Sequence, residues 1–154
     1  MGINVESKVT KNLDAAESVR VGLEKHMKDA ADTGFEVSQE HVPHGADSFL
    51  ANSGFVPEWR GDRIVWGYTA DYAEPVEDGS VPHWIPVGEM HKLEKWARRV
   101  LGDENAAWAV RHKIGPEGTD AQPIIEPGKQ AQERYAKAVG IDTYVEREIG
   151  KHER

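Results

Sequence analysis

SFLANSGFVPEWRGDRIVWGYTADYA, residues 48–73, is the stretch that decides the fold class. Phe49, Ala51, Ser53 and Phe55 alternate with Leu50, Asn52 and Val56. After Pro57-Glu58-Trp59-Arg60-Gly61-Asp62 comes Ile64-Val65-Trp66-Gly67-Tyr68. Two alternating runs, rich in aromatic and β-branched residues, around a turn-rich connection predict an antiparallel hairpin. A third short extended piece is expected from Tyr72 to Val76, followed by a turn at Asp78-Gly79-Ser80.

On both sides of this stretch the period changes to that of helix. Upstream, over residues 3–31, Val9, Leu13, Ala16, Arg20, Leu23, Met27 and Ala30 step alternately by four and three. That is the seam of a helix lying lengthwise on another helix. Arg20 interrupts it, either packing its stem with its head in water or making an ion pair between subunits. Asp32-Thr33-Gly34 is expected to end or kink this helix, with Gly34 as a left-handed cap. A second short helix over 35–42, capped by Asp32 or Thr33, then stops at Pro43.

Downstream, Pro82-His83-Trp84-Ile85-Pro86 is held extended by its prolines. A helix follows from about Val87 to Leu101, with an apolar stripe of Met90, Leu93, Trp96, Ala97, Val100 and Leu101 and a polar side bearing Lys92, Lys95 and Arg99. Gly102 stops it, Asp103 caps the next helix, and Gly115-Pro116 ends that one near Ile114. Pro127 opens a further helix, and Asp142 a last one. The class is therefore α+β, read as a single domain over 1–154. It has a helical part (1–42), a β-hairpin or small sheet (48–76) and three to four C-terminal helices (87–152).

Length and charge bound the function. A chain of 154 residues is enough for one real core. Its 27 acidic side chains against 19 basic ones give a net charge of −8, which argues against a nucleic-acid coating protein and against an anionic membrane surface. The mean hydropathy is −0.65, and no run approaches a membrane span. The start, MGINVESKVTKNL, lacks the apolar block of a signal peptide. The absence of cysteine excludes disulfides, thiol catalysis and Cys-ligated zinc. The acid excess also suits a high-salt host.

Motifs for chemistry are sparse. His83, Glu89 and His91 are near in sequence, but Pro86 separates His83 from the helix, so the spacing does not converge two imidazoles on one metal. His41 and His44 flank Pro43 and read as loop histidines. Ser53-Gly54 lacks the upstream glycine of a nucleophile elbow, and no phosphate or dinucleotide loop exists. Asp71 and Glu74 beside Tyr72 read as turn carboxylates; acting with a histidine such as His91 they would make a small hydrolase. The basic run Lys92, Lys95, Arg98, Arg99, with Arg111, His112 and Lys113, is either a DNA-facing patch or a solvated face paired with Glu89 and Glu94. Trp84, Trp96 and Trp108 are expected as core or subunit anchors.

The order of short motifs carries a resemblance. Pro43-His44-Gly45-Ala46-Asp47-Ser48-Phe49-Leu50 precedes the hairpin. Tyr72-Ala73-Glu74-Pro75-Val76-Glu77-Asp78-Gly79-Ser80 follows it. Gly118-Thr119-Asp120-Ala121-Gln122-Pro123-Ile124 leads into the C-terminal helices. This series resembles the tail-completion, or head–tail connector (neck), family of long-tailed double-stranded DNA viruses, including those of haloarchaea. Relative to the family pattern, the first motif lacks an Asp-Thr-Gly triplet, Ser80 replaces a threonine and Ile124 a phenylalanine.

The resemblance implies a non-enzymatic virion protein, assembled in the host cytoplasm. It would form a six-fold or twelve-fold homo-oligomeric ring at the neck, between portal or adaptor and tail proteins. DNA would pass through without sequence recognition, and no cofactor, metal or membrane is implied. On that reading Leu13, Arg20, Leu23, Met27, Trp84, Ile124 and Ile125 are candidate subunit contacts, and Lys92, Lys95 and Arg99 are candidate DNA-facing residues. The alternatives are a nucleic-acid-binding module built on the Lys92–Arg99 face or the small hydrolase.

Overall fold

The structure is a computed structural model; it describes the backbone of residues 2–43 and 48–152 and the side chains of residues 15–43 and 48–151. It is α+β. A long helix α1 (Gly2–His41) leads to a single turn α2 (Phe49–Asn52) and a hairpin of β1 (Gly54–Arg60) and β2 (Arg63–Tyr68). Then come α3 (Ala73–Asp78), a 3-10 turn (Val87–Glu89), α4 (Met90–Val100), α5 (Ala106–Glu117), α6 (Ile125–Ala138) and α7 (Ile141–His152).

The expected hairpin forms, but Pro57–Arg60, assigned from sequence to the connection, belong to β1. β1 and β2 pair antiparallel, with Arg60 opposite Arg63, so the turn is the dipeptide Gly61-Asp62. Gly61 has φ 68°, the left-handed geometry that two-residue hairpin turns demand. The strand pattern begins only at Gly54. Phe49–Asn52 coil into α2 because its backbone N–H groups close onto Ser48 and Phe49 carbonyls. The expected extended piece at Tyr72–Val76 is instead helix α3, whose proline sits in the first turn where a missing N–H costs nothing.

α1 runs unbroken through Asp32-Thr33-Gly34 to His41, correcting the expected stop. Neither residue caps anything: Asp32 pairs with Lys28, and Thr33 Oγ1 donates to the Asp29 carbonyl 2.9 Å away. Gly34 serves close packing instead. A Cβ there would lie 2.9 Å from the Gly128 carbonyl of α6, and one at Gly128 would lie 2.5 Å from the Gly34 carbonyl. Gly22 makes the matching approach to α7, where a Cβ would meet Val145 N at 2.9 Å.

The face of α1 that packs on α6 and α7 is therefore Ser18, Gly22, His26, Ala30, Gly34 and Ser38, all buried and four residues apart. This ridge of four-residue spacing, made of small side chains apart from His26, interlocks with neighbouring helices. It is not the seam expected from sequence. Ala16, Arg20 and Leu23 of that seam are exposed, Met27 is half-buried, and only Ala30 is fully buried. The Val9 and Leu13 side chains lie outside the described residues. Arg20 bridges Glu17 and Glu24 of its own helix at 2.5 Å each.

Two clusters make the core. Val42, Leu50, Ala70 and Ile124 gather under α1 and the hairpin, with Tyr68, Val76 and Ile125 against them. Met90, Ala97 and Ala107, with Leu93 and Ala106, hold α4 on α5. The α4–α5 hairpin packs chiefly on itself, whereas α1, α6, α7 and the β-hairpin pack on one another. α5 runs through Gly115 and Pro116 to Glu117, three residues past its expected end. Among the described residues no helix is long and apolar enough to cross a membrane.

Candidate functional site

The two later motifs, far apart in sequence, lie side by side. Ser80 and Thr119 form an antiparallel bridge, exchanging backbone bonds of 2.9 and 3.1 Å, and their hydroxyls meet at 2.8 Å. Gln122 N donates to the Val76 carbonyl at 2.7 Å. Gly79 and Gly118 flank this bridge with φ 76° and 74°, and a Cβ on Gly118 would fall 2.0 Å from the Ser80 carbonyl. Only glycine fits both the dihedral and the approach.

Glu77 locks the unit to α6. Its carboxylate accepts the backbone N–H of Ile124 at 2.5 Å, Ile125 at 2.7 Å and Glu126 at 3.0 Å. These are the orphan donors of the α6 N-terminus, and the next residue, Pro127, has no N–H to satisfy. Burial pushes the Glu77 carboxyl up, but the three N–H donors and Lys129 outweigh it and hold it below the usual carboxylate range. This clamp explains why a glutamate and two glycines stand at these places. It also corrects the role expected of Ile124. Ile124 is 0% exposed and Ile125 half-buried in the chain's own core, so Ile124 offers no docking point to a neighbour.

The Ser80–Thr119 bridge, with Asp120 and Gln122, forms one side of an open groove of about 840 Å³. Phe49, Leu50, Tyr72 and Val76 line its floor, with Phe49 and Tyr72 rings stacked at 6.0 Å. The opposite wall is α4, which turns Lys92, Lys95, Trp96 and Arg99 into it. The three DNA-facing candidates thus come together, not on a blank solvent face but beside Trp96 of the apolar stripe. Lys92 pairs with Glu89 of its own helix start, and Lys95 makes no ion pair among the described residues. A second, more apolar recess of about 580 Å³, lined by Tyr72, Ile85, Leu93, Trp96 and Ile114, continues from it between α4 and α5.

Trp84 sits against α5, half exposed, with Arg111 over its ring at 5.0 Å and the ring against Gly115. Arg111 also lies 5.7 Å from the Trp108 ring and donates Nε–H to the Ile85 carbonyl at 2.8 Å. This stack pins the extended Pro82–Pro86 strap to α5. Sequence spacing gave no signal for it, because Arg111 read as part of the basic run.

The candidate chemical residues do not assemble. His83 Nδ1 lies 2.9 Å from the Val81 carbonyl, which only accepts, so Nδ1 carries the proton and does not take one from Ser80 at 3.5 Å. His91 Nδ1 bonds the Gly88 carbonyl, and Asp71 and Glu74 are exposed. Among the described residues no three His, Asp or Glu side chains converge as a metal-binding group; His44 lies outside the described residues. No protein-family model, curated protein or solved structure matches the chain.

Proposed function

We propose that the chain is a structural, non-enzymatic virion protein: a neck subunit that assembles into a six-fold or twelve-fold ring between portal and tail, through which DNA passes. The observation that carries this reading is where the large side chains lie. Four of the five tryptophans, Trp59, Trp84, Trp96 and Trp108, are exposed, together with Phe49, Tyr72, Val19 and Leu23. The buried clusters are built largely from alanine and a few aliphatics. Chains with this distribution hold their aromatic anchors for other proteins. The exposed seam residues Arg20 and Leu23 and the half-exposed Trp84 remain subunit-contact candidates, as do the half-buried Met27 and Ile125.

Light scattering on the full chain, from low to molar salt, tests the reading. A closed assembly of six or twelve times the 17.2 kDa chain is expected. A monomer under every condition, and with the portal protein encoded in the same genome added, overturns it. A second reading, a nucleic-acid-binding module, is favoured by the Lys92, Lys95 and Arg99 wall beside Trp96. Salt-sensitive duplex binding abolished by Lys95→Glu with Arg99→Glu would replace the first reading by this one.

A further inference from the structure

Resting on the neck-ring reading, we propose that the groove between α4 and the Ser80–Thr119 bridge is the acceptor half of a head-to-tail contact, filled by a second copy of this chain.

Charge points to that occupant. The chain is acidic overall, yet α4 turns Lys92, Lys95 and Arg99 into the groove, with the Glu89 partner of Lys92 outside its lining. Its excess of acid therefore lies elsewhere, and Asp120 is the single carboxylate among the described residues lining the groove. A molecule with a cationic groove and an anionic remainder is complementary to itself only when different faces meet. Such contacts are heterologous, and they close into rings when the rotation permits.

The lining favours a protein over a polynucleotide. The cations occupy one wall, and the rest is chiefly apolar, from Phe49, Tyr72, Val76 and Trp96. A phosphate track needs cations along the strand's whole path, whereas an apolar floor with a charged rim takes side chains from a protein surface. The rest of the chain has such side chains to offer, since Val19, Leu23, Val56, Trp59 and Ile149 are all exposed outside the α4–α5 hairpin. The groove is also built to keep its shape. The Ser80–Thr119 bridge and the Trp84–Arg111 stack fix both connections to the hairpin that carries its cationic wall.

The test compares the wild-type chain with Lys92→Glu/Lys95→Glu. Both lysines are exposed, so the variant is expected to keep the wild-type circular dichroism and thermal midpoint. Its assembly is expected to weaken at least about tenfold, or to fall to the 17.2 kDa monomer. Because the chain has no cysteine, Lys95→Cys carrying a photo-cross-linker gives a clean second readout. Cross-links to a different copy, at residues outside 81–117, are expected. A wild-type ring that the double variant leaves intact, or cross-links confined to the chain's own residues, overturns the groove contact and leaves the ring standing. Salt-sensitive duplex DNA binding that the double variant abolishes overturns it in favour of nucleic acid. A wild-type monomer throughout removes the ring reading itself.

Discussion

Replacing Glu77 with alanine tests whether a side chain from α3 holds the start of α6. Three backbone N–H groups lose their acceptor. The Ile124 N–H belongs to a residue with no exposed surface, so it is left unsatisfied at a cost of about 1–3 kcal/mol. Those of Ile125 and Glu126 reach water, and losing their cap costs about 1 kcal/mol. The total, about 2–4 kcal/mol, lowers the melting temperature of a chain this size by roughly 5–15 °C. Glu77→Gln keeps an oxygen acceptor but loses the charge at a helix N-terminus, and is expected to cost about 1 kcal/mol.

The pH dependence has a definite sign. The folded-state carboxyl titrates below its ordinary value, so its stabilisation is present above about pH 4.3 and disappears as pH falls through the depressed folded value. The wild-type advantage over Glu77→Gln should shrink across that acid window and be constant at neutral pH. Urea unfolding followed by circular dichroism measures both quantities. The exposed Glu74→Gln is the control and should stay within about 0.5 kcal/mol. If Glu77→Ala is no less stable than that control, the clamp does not hold α6.

Other outcomes follow from the same geometry. Gly128→Val places a branched side chain against the Gly34 carbonyl and the Trp66 ring and should destabilise by about 1–3 kcal/mol in thermal melts, whereas Gly140→Ala, with nothing near its Cβ, should be almost neutral. Tyr144→Phe removes a buried hydroxyl that donates to Asp29 at 2.6 Å and meets Tyr135 at 2.6 Å; a loss of about 1–2 kcal/mol by urea titration is expected. Leu23→Glu, at a site 41% exposed, should leave the midpoint of the monomer within about 1 °C while lowering the assembled mass seen by light scattering. Hydrogen exchange should be faster through α4 and α5, whose shared core is Met90, Ala97 and Ala107, than along residues 18–38 of α1.

Much of this architecture is legible in the residues. The antiparallel hairpin, the proline-held strap before α4 and the helix opened near Pro127 follow from local chemistry and stand in the structure, although the turn is Gly61-Asp62 alone and not the whole of Pro57–Asp62. Two features are not legible, for one physical reason. The packing ridge of α1 is made of Ser, Gly and Ala with one His, which hydrophobic periodicity does not register, so the more apolar seam through Leu23 points to the exposed face instead. Gly34 then read as a stop, although close approach of α6 is what excludes a side chain there. The clamp is long-range, and no local pattern shows that Glu77 caps a helix beginning almost fifty residues later. What the sequence does show is the groove's cationic wall, Lys92, Lys95 and Arg99. Its aromatic side needed the fold to bring Phe49 and Tyr72 opposite Trp96.

The most direct measurement is the copy number and position of the chain in tailed particles assembled from the genome that encodes it, by quantitative mass spectrometry and electron microscopy of tagged protein. Six or twelve copies per particle, all at the head–tail junction, is the predicted result. Absence from the particles, or copies spread over the capsid or along the tail, contradicts the account.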